Sequence, residues 1–221
     1  MASLNKSVNQ LLGQIREVGG TGKGVIGEDA VFQICEQMYQ RKGGILYHSY
    51  EYKVDPTKEG NIKRHSNGDL YIENLGTTTE IDVMYVSPYR VFPIEVKTYK
   101  AKKIVLTDDK ISGCAKTDKS PVHQNEMHCR HLYPMIYRVL PKGVTGYIVP
   151  IVVFVDECTV EDSRSQWQKD YIKVTTLNGI EALITNLDKP LEYRLDLNAI
   201  ARVLKEGCSS CKKCLPCRIL S

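Results

Sequence analysis

Glu80-Ile81-Asp82-Val83-Met84-Tyr85-Val86 and Val91-Phe92-Pro93-Ile94-Glu95-Val96-Lys97 are two apolar runs separated by Ser87-Pro88-Tyr89-Arg90. Proline at the second place of that tetrapeptide presets a tight turn. A hairpin centred between Pro88 and Tyr89 pairs residues whose numbers sum to 177, so Asp82 faces Glu95 and Glu80 faces Lys97. Opposed side chains in such a pair lie about 4.5–5.5 Å apart at Cβ. Alternation with period two places Glu95 and Lys97 on one face and Phe92, Ile94 and Val96 on the other. The apolar face suits burial, and the polar face gathers two carboxylates and an ammonium group. A slip of one residue would turn Asp82 to the other face. Pro93 lacks a ladder donor and points to a bulge or an edge.

That polar face suits metal-assisted hydrolysis. Carboxylate oxygens suit magnesium, which keeps several waters and takes one or two carboxylates. Such a metal polarises a phosphoryl oxygen and acidifies a bound water. A neighbouring lysine positions the water or stabilises developing negative charge. The plainer reading is a surface hairpin with a cross-strand ion pair, which would stabilise little.

An Asp followed one strand later by Glu-x-Lys resembles the signature of the PD-(D/E)XK nuclease superfamily. Within it the chain resembles the nuclease-related domain, NERD. Four segments carry the resemblance in order: Gly24-Val25-Ile26-Gly27-Glu28, Glu80-Ile81-Asp82, Ile94-Glu95-Val96-Lys97-Thr98-Tyr99, and Pro121-Val122-His123-Gln124 with His128 and Leu132 after it. It extends from about Val25 to Val155, and Ile81 stands where the superfamily has proline. The resemblance implies an α/β fold with a restriction-endonuclease-like αβββαβ core and a mixed central sheet. It implies a divalent metal, Mg2+ or Mn2+, and a nucleic-acid substrate, DNA before RNA. It makes Glu28 an additional active-site carboxylate and Gln124 a supporting residue.

Composition is compatible with this reading. The chain has 221 residues, 42% of them hydrophobic, and a net charge of +4. That length suits one domain with a small appendage. Mild basicity fits nucleic acid without demanding it. No apolar run is long enough to span a bilayer, and Met1-Ala2-Ser3-Leu4-Asn5-Lys6 lacks a secretory apolar stretch. A cytoplasmic protein with no membrane partner is expected.

Residues 1–24 read as an accessory helix, with Leu4, Val8, Leu11, Leu12 and Ile15 on one stripe, followed by a glycine hinge from Gly19 to Gly24. The hinge fails the phosphate-loop pattern, because Glu17 stands at the first glycine and Gly24 follows Lys23. Residues 25–206 read as the nuclease-like domain. Its expected elements are a helix from Val25 to Arg41, ended by Gly43-Gly44, and a strand from Ile45 to Val54. A long polar loop from Asp55 to Asn67 carries Lys58, Lys63, Arg64 and His65 and would touch phosphates. Further on come an irregular crossover from Thr107 to Ser120, a helix from Val122 to Leu140 and a strand from Thr145 to Asp156. Lys100, Lys102 and Lys103 follow the Glu-x-Lys strand and would bind the nucleic-acid backbone. Gln124 and His128, four apart, share a helix face, and His128 is equally an ordinary core or surface histidine.

Residues 207–221 differ in character. Cys208, Cys211, Cys214 and Cys217 recur at intervals of three, whereas Cys35, Cys114, Cys129 and Cys158 are isolated. Four thiolates suit tetrahedral zinc, with an Fe–S cluster as the alternative. As an appendage, this tail would be removable after Glu206 without loss of the domain. The leading expectation is a metal-dependent nuclease using Asp82, Glu95, Lys97, Glu28 and Gln124. The alternatives are a nucleic-acid-binding protein with the same fold and no turnover, and an adaptor acting through its terminal segments.

Overall fold

A computed structural model describes residues 21–53, 62–64, 70–72, 78–99, 101–114, 120–140, 142–143, 145–156, 158–191 and 193–219. The expected accessory helix, Gly19, Gly20, Lys58, His65 and Lys100 lie outside the described residues. The first described helix, α1 (Thr21–Lys42), begins inside the expected hinge, so Gly22 and Gly24 are helical. Gly43 N–H bonds Tyr39 O at 2.8 Å and closes the helix. Gly44 has φ +112°, and a Cβ there would stand 2.1 Å from Val86 O. Only glycine fits this left-handed, crowded position, which launches β1 (Gly44–Lys53).

The order continues with β2 (Ile62–Arg64), β3 (Leu70–Ile72), β4 (Thr78–Val86), β5 (Val91–Lys97), β6 (Lys103–Leu106), β7 (Ile111–Ser112) and α2 (Pro121–Tyr137). Next are β8 (Ile151–Phe154), β9 (Thr159–Asp162), α3 (Gln166–Tyr171), β10 (Lys173–Thr176), α4 (Ile180–Leu187) and α5 (Leu197–Gly207). Two strands, β11 (Cys208–Ser210) and β12 (Lys213–Arg218), complete the order. The central sheet runs β10-β8-β5-β4-β1-β11, with β12 also on β1. It is mixed: β10, β8 and β5 are parallel, and β4, β1, β11 and β12 pair antiparallel.

Helices cover both faces. On one, Val31, Cys35 and Met38 of α1 and Ile180 and Ile184 of α4 pack on Leu46, Val83, Tyr85, Phe92, Ile94 and Val96. On the other, Leu132 and Ile136 of α2 and Ile200 and Leu204 of α5 pack on Tyr47, Tyr50, Ile81 and Met84. Strands buried on both faces read as continuous apolar runs, which explains β8 and the first four residues of β5.

Several expectations are corrected. The polar loop contains β2, which carries Lys63 and Arg64 and pairs with β3. The irregular crossover contains β7, which joins β6 and β9 in a separate three-stranded sheet. Strands of two to four residues are too short for alternation to reveal. Pro93 itself sits in a central strand opposite Met84, and Asn125 Nδ2 donates to its carbonyl at 3.3 Å; the β4–β5 ladder ends at the next residue, Ile94. The C-terminal segment is not an appendage. β12 pairs Leu46, Tyr47 and His48 with Leu215, Cys214 and Lys213. Tyr39 Oη donates to Pro216 O at 2.8 Å, and Lys213 meets Glu36 at 2.8 Å.

Removing residues 207–221 therefore exposes a long edge of β1. We expect loss of ~3 kcal/mol or more, roughly 6–12 °C in Tm, together with aggregation. Thermal melts of the chain truncated after Glu206 check this, and an unchanged Tm would show that the ribbon is dispensable.

Candidate active site

The hairpin register is the one expected: Val83, Met84, Tyr85 and Val86 pair with Ile94, Pro93, Phe92 and Val91. Ser87 N–H bonds Arg90 O at 2.9 Å, so hydrogen-bonded pairs recur at 85/92 and 83/94 and would next fall at 81/96. There the ladder stops. Val96 N–H donates instead to Asp82 Oδ2 at 2.6 Å. The alternation of side chains breaks at the same level, with Val83 packed under α1 and Ile81 under α2. β1 breaks beside it. Ser49, between the pairs His48–Val83 and Tyr50–Ile81, has φ +53°. Asp82 and Glu95 are thus not members of one ladder pair. Asp82 turns its carboxylate onto the β5 backbone next to Glu95.

Glu95 is 1% exposed on the α2 side of β5. Lys97 Nζ stands 2.5 Å from its Oε1. Its Oε2 lies 3.7 Å from His128 Nδ1, and both of these atoms are buried without a hydrogen bond. Tyr52 Oη holds α2 here by donating to His128 O at 2.7 Å. His128 is buried on α2 and stands beside Glu95. Its spacing from Gln124 was the available signal, and Gln124 stands one turn earlier on α2, partly exposed.

Glu28 arrives from α1. A Cβ on Gly27 would meet Thr98 Oγ1 at 2.7 Å and Val155 Cγ2 at 3.3 Å, so the missing side chain lets the helix approach the ends of β5 and β8. The next residue, Asp29, binds Lys212 Nζ at 2.7 Å. Lys212 was not anticipated, because only the β11–β12 turn brings it here; its N–H bonds His48 O at 2.9 Å. Lys102 is exposed, and Lys103 is paired with Glu161 at 2.6 Å.

The carboxylates oppose one another's ionisation. Burial and then Asp82 and Glu80 push Glu28 up to about 7. Burial raises Asp82, against the Val96 N–H and Lys97. Burial and then Asp82 raise Glu95, and Lys97 only partly offsets them. Burial works against the Lys97 charge, but Glu95 outweighs it and holds Lys97 above its usual value. Burial, then Lys97, lowers His128 to about 4, so this ring is neutral near pH 7.

A hard dication fits this donor set. Oxygen ligands with raised proton affinity and an unpartnered buried carboxylate oxygen are what it neutralises. Among the described residues no group of three or more His, Cys, Asp or Glu is arranged to hold a metal. Magnesium needs only one or two carboxylates, and Asp82 and Glu95 are the residues that would hold it. Tetrahedral zinc or an Fe–S cluster at Cys208, Cys211, Cys214 and Cys217 finds no such support. None of the four forms a disulfide, and Cys208 Sγ donates to Ser210 O at 3.2 Å. Burial, then Cys211, pushes Cys208 up to about 11.

The sequence model of the nuclease-related domain, NERD, matches residues 23–155. That is more than half of the chain, and the chain belongs to the NERD family, within the PD-(D/E)XK superfamily. The family indicates a nuclease-related function on nucleic acid with divalent metal in general. No curated protein matches. A crystal structure of a protein of unknown function, AF1548, is similar over 80% of this chain and 78% of its own, at 16% identity and a TM-score of 0.36. That likeness bears on none of the site residues. No described helix is long and apolar enough to cross a membrane.

The raised carboxylates set a pH dependence. The metal-free fold keeps the Glu28 proton up to about pH 7, whereas the ordinary value is 4.5. The folded state therefore binds more protons in that interval, and this contribution to stability is whole below 4.5 and lost as pH rises through 7. The lowered histidines act in the opposite direction, ever more weakly above their ordinary value of 6.5, and are common to wild type and the Glu28 variant. From pH 6.5 to 8 Mg2+ should raise the Tm increasingly. The metal-free Tm of Glu28→Gln should fall less with pH, or rise more, than that of wild type. Equal slopes for both proteins would refute the assignment of this proton.

Proposed function

We propose that this protein is a divalent-metal-dependent nuclease that hydrolyses phosphodiester bonds, with DNA favoured over RNA. The observation that carries this is the abandoned ladder at Asp82. It sets a carboxylate beside the buried Glu95–Lys97 pair, with Glu28 close enough to raise and be raised by them. The order α1-β1-β4-β5-α2-β8 supports reading the framework as the restriction-endonuclease-like αβββαβ core.

In this reading Asp82 and Glu95 hold Mg2+ or Mn2+. Bound there, the ion would polarise a phosphoryl oxygen and acidify water. Lys97, kept charged by Glu95, orients the attacking water and stabilises charge developing on the phosphate. Glu28 completes the acidic set and holds or yields a proton near neutral pH. Neutral His128 backs Glu95 and brings no positive charge to compete with the cation for it. Gln124, at the start of α2, supports the substrate side.

Purified full-length protein should degrade plasmid or single-stranded DNA in Mg2+ or Mn2+ and not in EDTA. Asp82→Asn, Glu95→Gln and Lys97→Ala should each lower the rate by about 10²-fold or more, with the fold retained by circular dichroism. Wild-type cutting by Asp82→Asn would overturn the assignment. Retention of DNA by wild type without cutting would leave a binding protein on a nuclease frame.

A further inference from the structure

The outer surface of α2 carries an arrangement that the active site does not use. Asn125, His128, Cys129, Leu132 and Ile136 face inward and are buried. Glu126, Arg130, Tyr133 and Tyr137 recur at intervals of four, three and four, so they form one outward stripe. Tyr133 and Tyr137 are exposed and stacked, with ring centroids 5.5 Å apart at 29°. A second pair repeats this geometry on α3. Trp167 and Tyr171 stack at 6.0 Å and 24°, and Trp167 is 67% exposed. Glu126 and Arg130, in the first half of the α2 stripe, act electrostatically on Tyr171 of the α3 pair. Arg130 precedes Tyr133 by three residues on α2 and is held by Glu126 at 2.7 Å.

These four rings are four of the seven exposed large hydrophobic side chains among the described residues, and they come as two stacked pairs. Flat rings stacked in pairs and open to solvent match the faces of unpaired bases. The surrounding charge favours a polyanion. α2 and the turn after it carry Arg130, Arg138 and Lys142 against Glu126, and α3 with its neighbours carries Lys169 and Lys173 against Asp170 and Asp108, leaving an excess of positive charge. An apolar peptide would gain nothing from this charge. A base-paired duplex would present phosphates but keep its base faces stacked inside.

We propose that Trp167, Tyr171, Tyr133 and Tyr137, together with Arg130, form a stacking platform for single-stranded nucleic acid. This extends the nuclease reading by naming the form of the substrate. A strand held on the outer face of α2 lies against the same helix whose inner face supports Glu95 through His128.

The test uses full-length protein in EDTA, so it does not depend on turnover. Trp167 is the chain's only tryptophan, so its emission reports the platform directly. Oligo(dT) should quench it saturably, and a duplex of equal length should not. By anisotropy of labelled oligo(dT), Trp167→Ala and the pair Tyr133→Ala/Tyr137→Ala should each weaken binding roughly tenfold or more. Lys189→Ala, away from both pairs in sequence, should leave it unchanged. Oligo(dT) binding with unaltered emission and unaltered affinity in both variants overturns the platform. So does quenching that tracks protein concentration without nucleic acid, which would mark a contact between two copies. Absence of any binding to oligo(dT) also overturns it, while the metal-dependent plasmid assay separately reports whether the protein is a nuclease.

Discussion

The hydrogen bond from Val96 N–H to Asp82 Oδ2, 2.6 Å long, is the interaction on which the site depends. A continuing antiparallel ladder would give that donor to the Ile81 carbonyl. By taking it with a side chain, Asp82 ends the β4–β5 pairing in the middle of an otherwise regular sheet. β5 does not fray, because β8 still pairs with it from Ile94 to Lys97 on the other side. β1 makes a matching change of direction at Ser49. Across this row the sheet changes which residues it turns to which face, and polar groups gain a place that the apolar strands elsewhere deny them.

Burial then determines the chemistry. Three carboxylates at one level of the fold cannot all be ionised cheaply in low dielectric. Lys97 supplies one compensating charge, and His128 is too strongly desolvated to supply another. The remaining demand is met by protons or by a cation. The fold also invests structure in maintaining this demand. Gly27 allows α1 to bring Glu28 close, and the C-terminal ribbon closes the β1 edge while placing Lys212 on Asp29. The cysteines of that ribbon pack on the α5 side of the sheet, where Cys208, Cys211 and Cys217 meet the core around Tyr47 and Tyr50.

The sequence disclosed the hairpin because its register follows from one turn and two apolar runs. Val83 to Val86 pair as that arithmetic requires. It disclosed α1, α2 and β8 through length and periodicity. It did not disclose that the ladder would end one residue short of Asp82–Glu95, since a side chain replacing a carbonyl leaves no mark on composition. The small sheet of β6, β7 and β9 was hidden by strand length. The cysteine spacing suggested a ligand set, whereas in β12 the half-buried positions are Leu215 and Cys217, two apart as in a strand. Lys212 and His128 required the tertiary fold, because each acts across large sequence distances.

The central claim is that these buried carboxylates hold protons until a dication displaces them. Calorimetric titration of Mg2+ or Mn2+ into the full-length protein at pH 7, in two buffers of different ionisation enthalpy, measures this directly. The account predicts one site, release of roughly one proton per ion bound, and affinity at least about tenfold lower in Asp82→Asn. Binding without proton release, or binding that Asp82→Asn leaves unchanged, would contradict it.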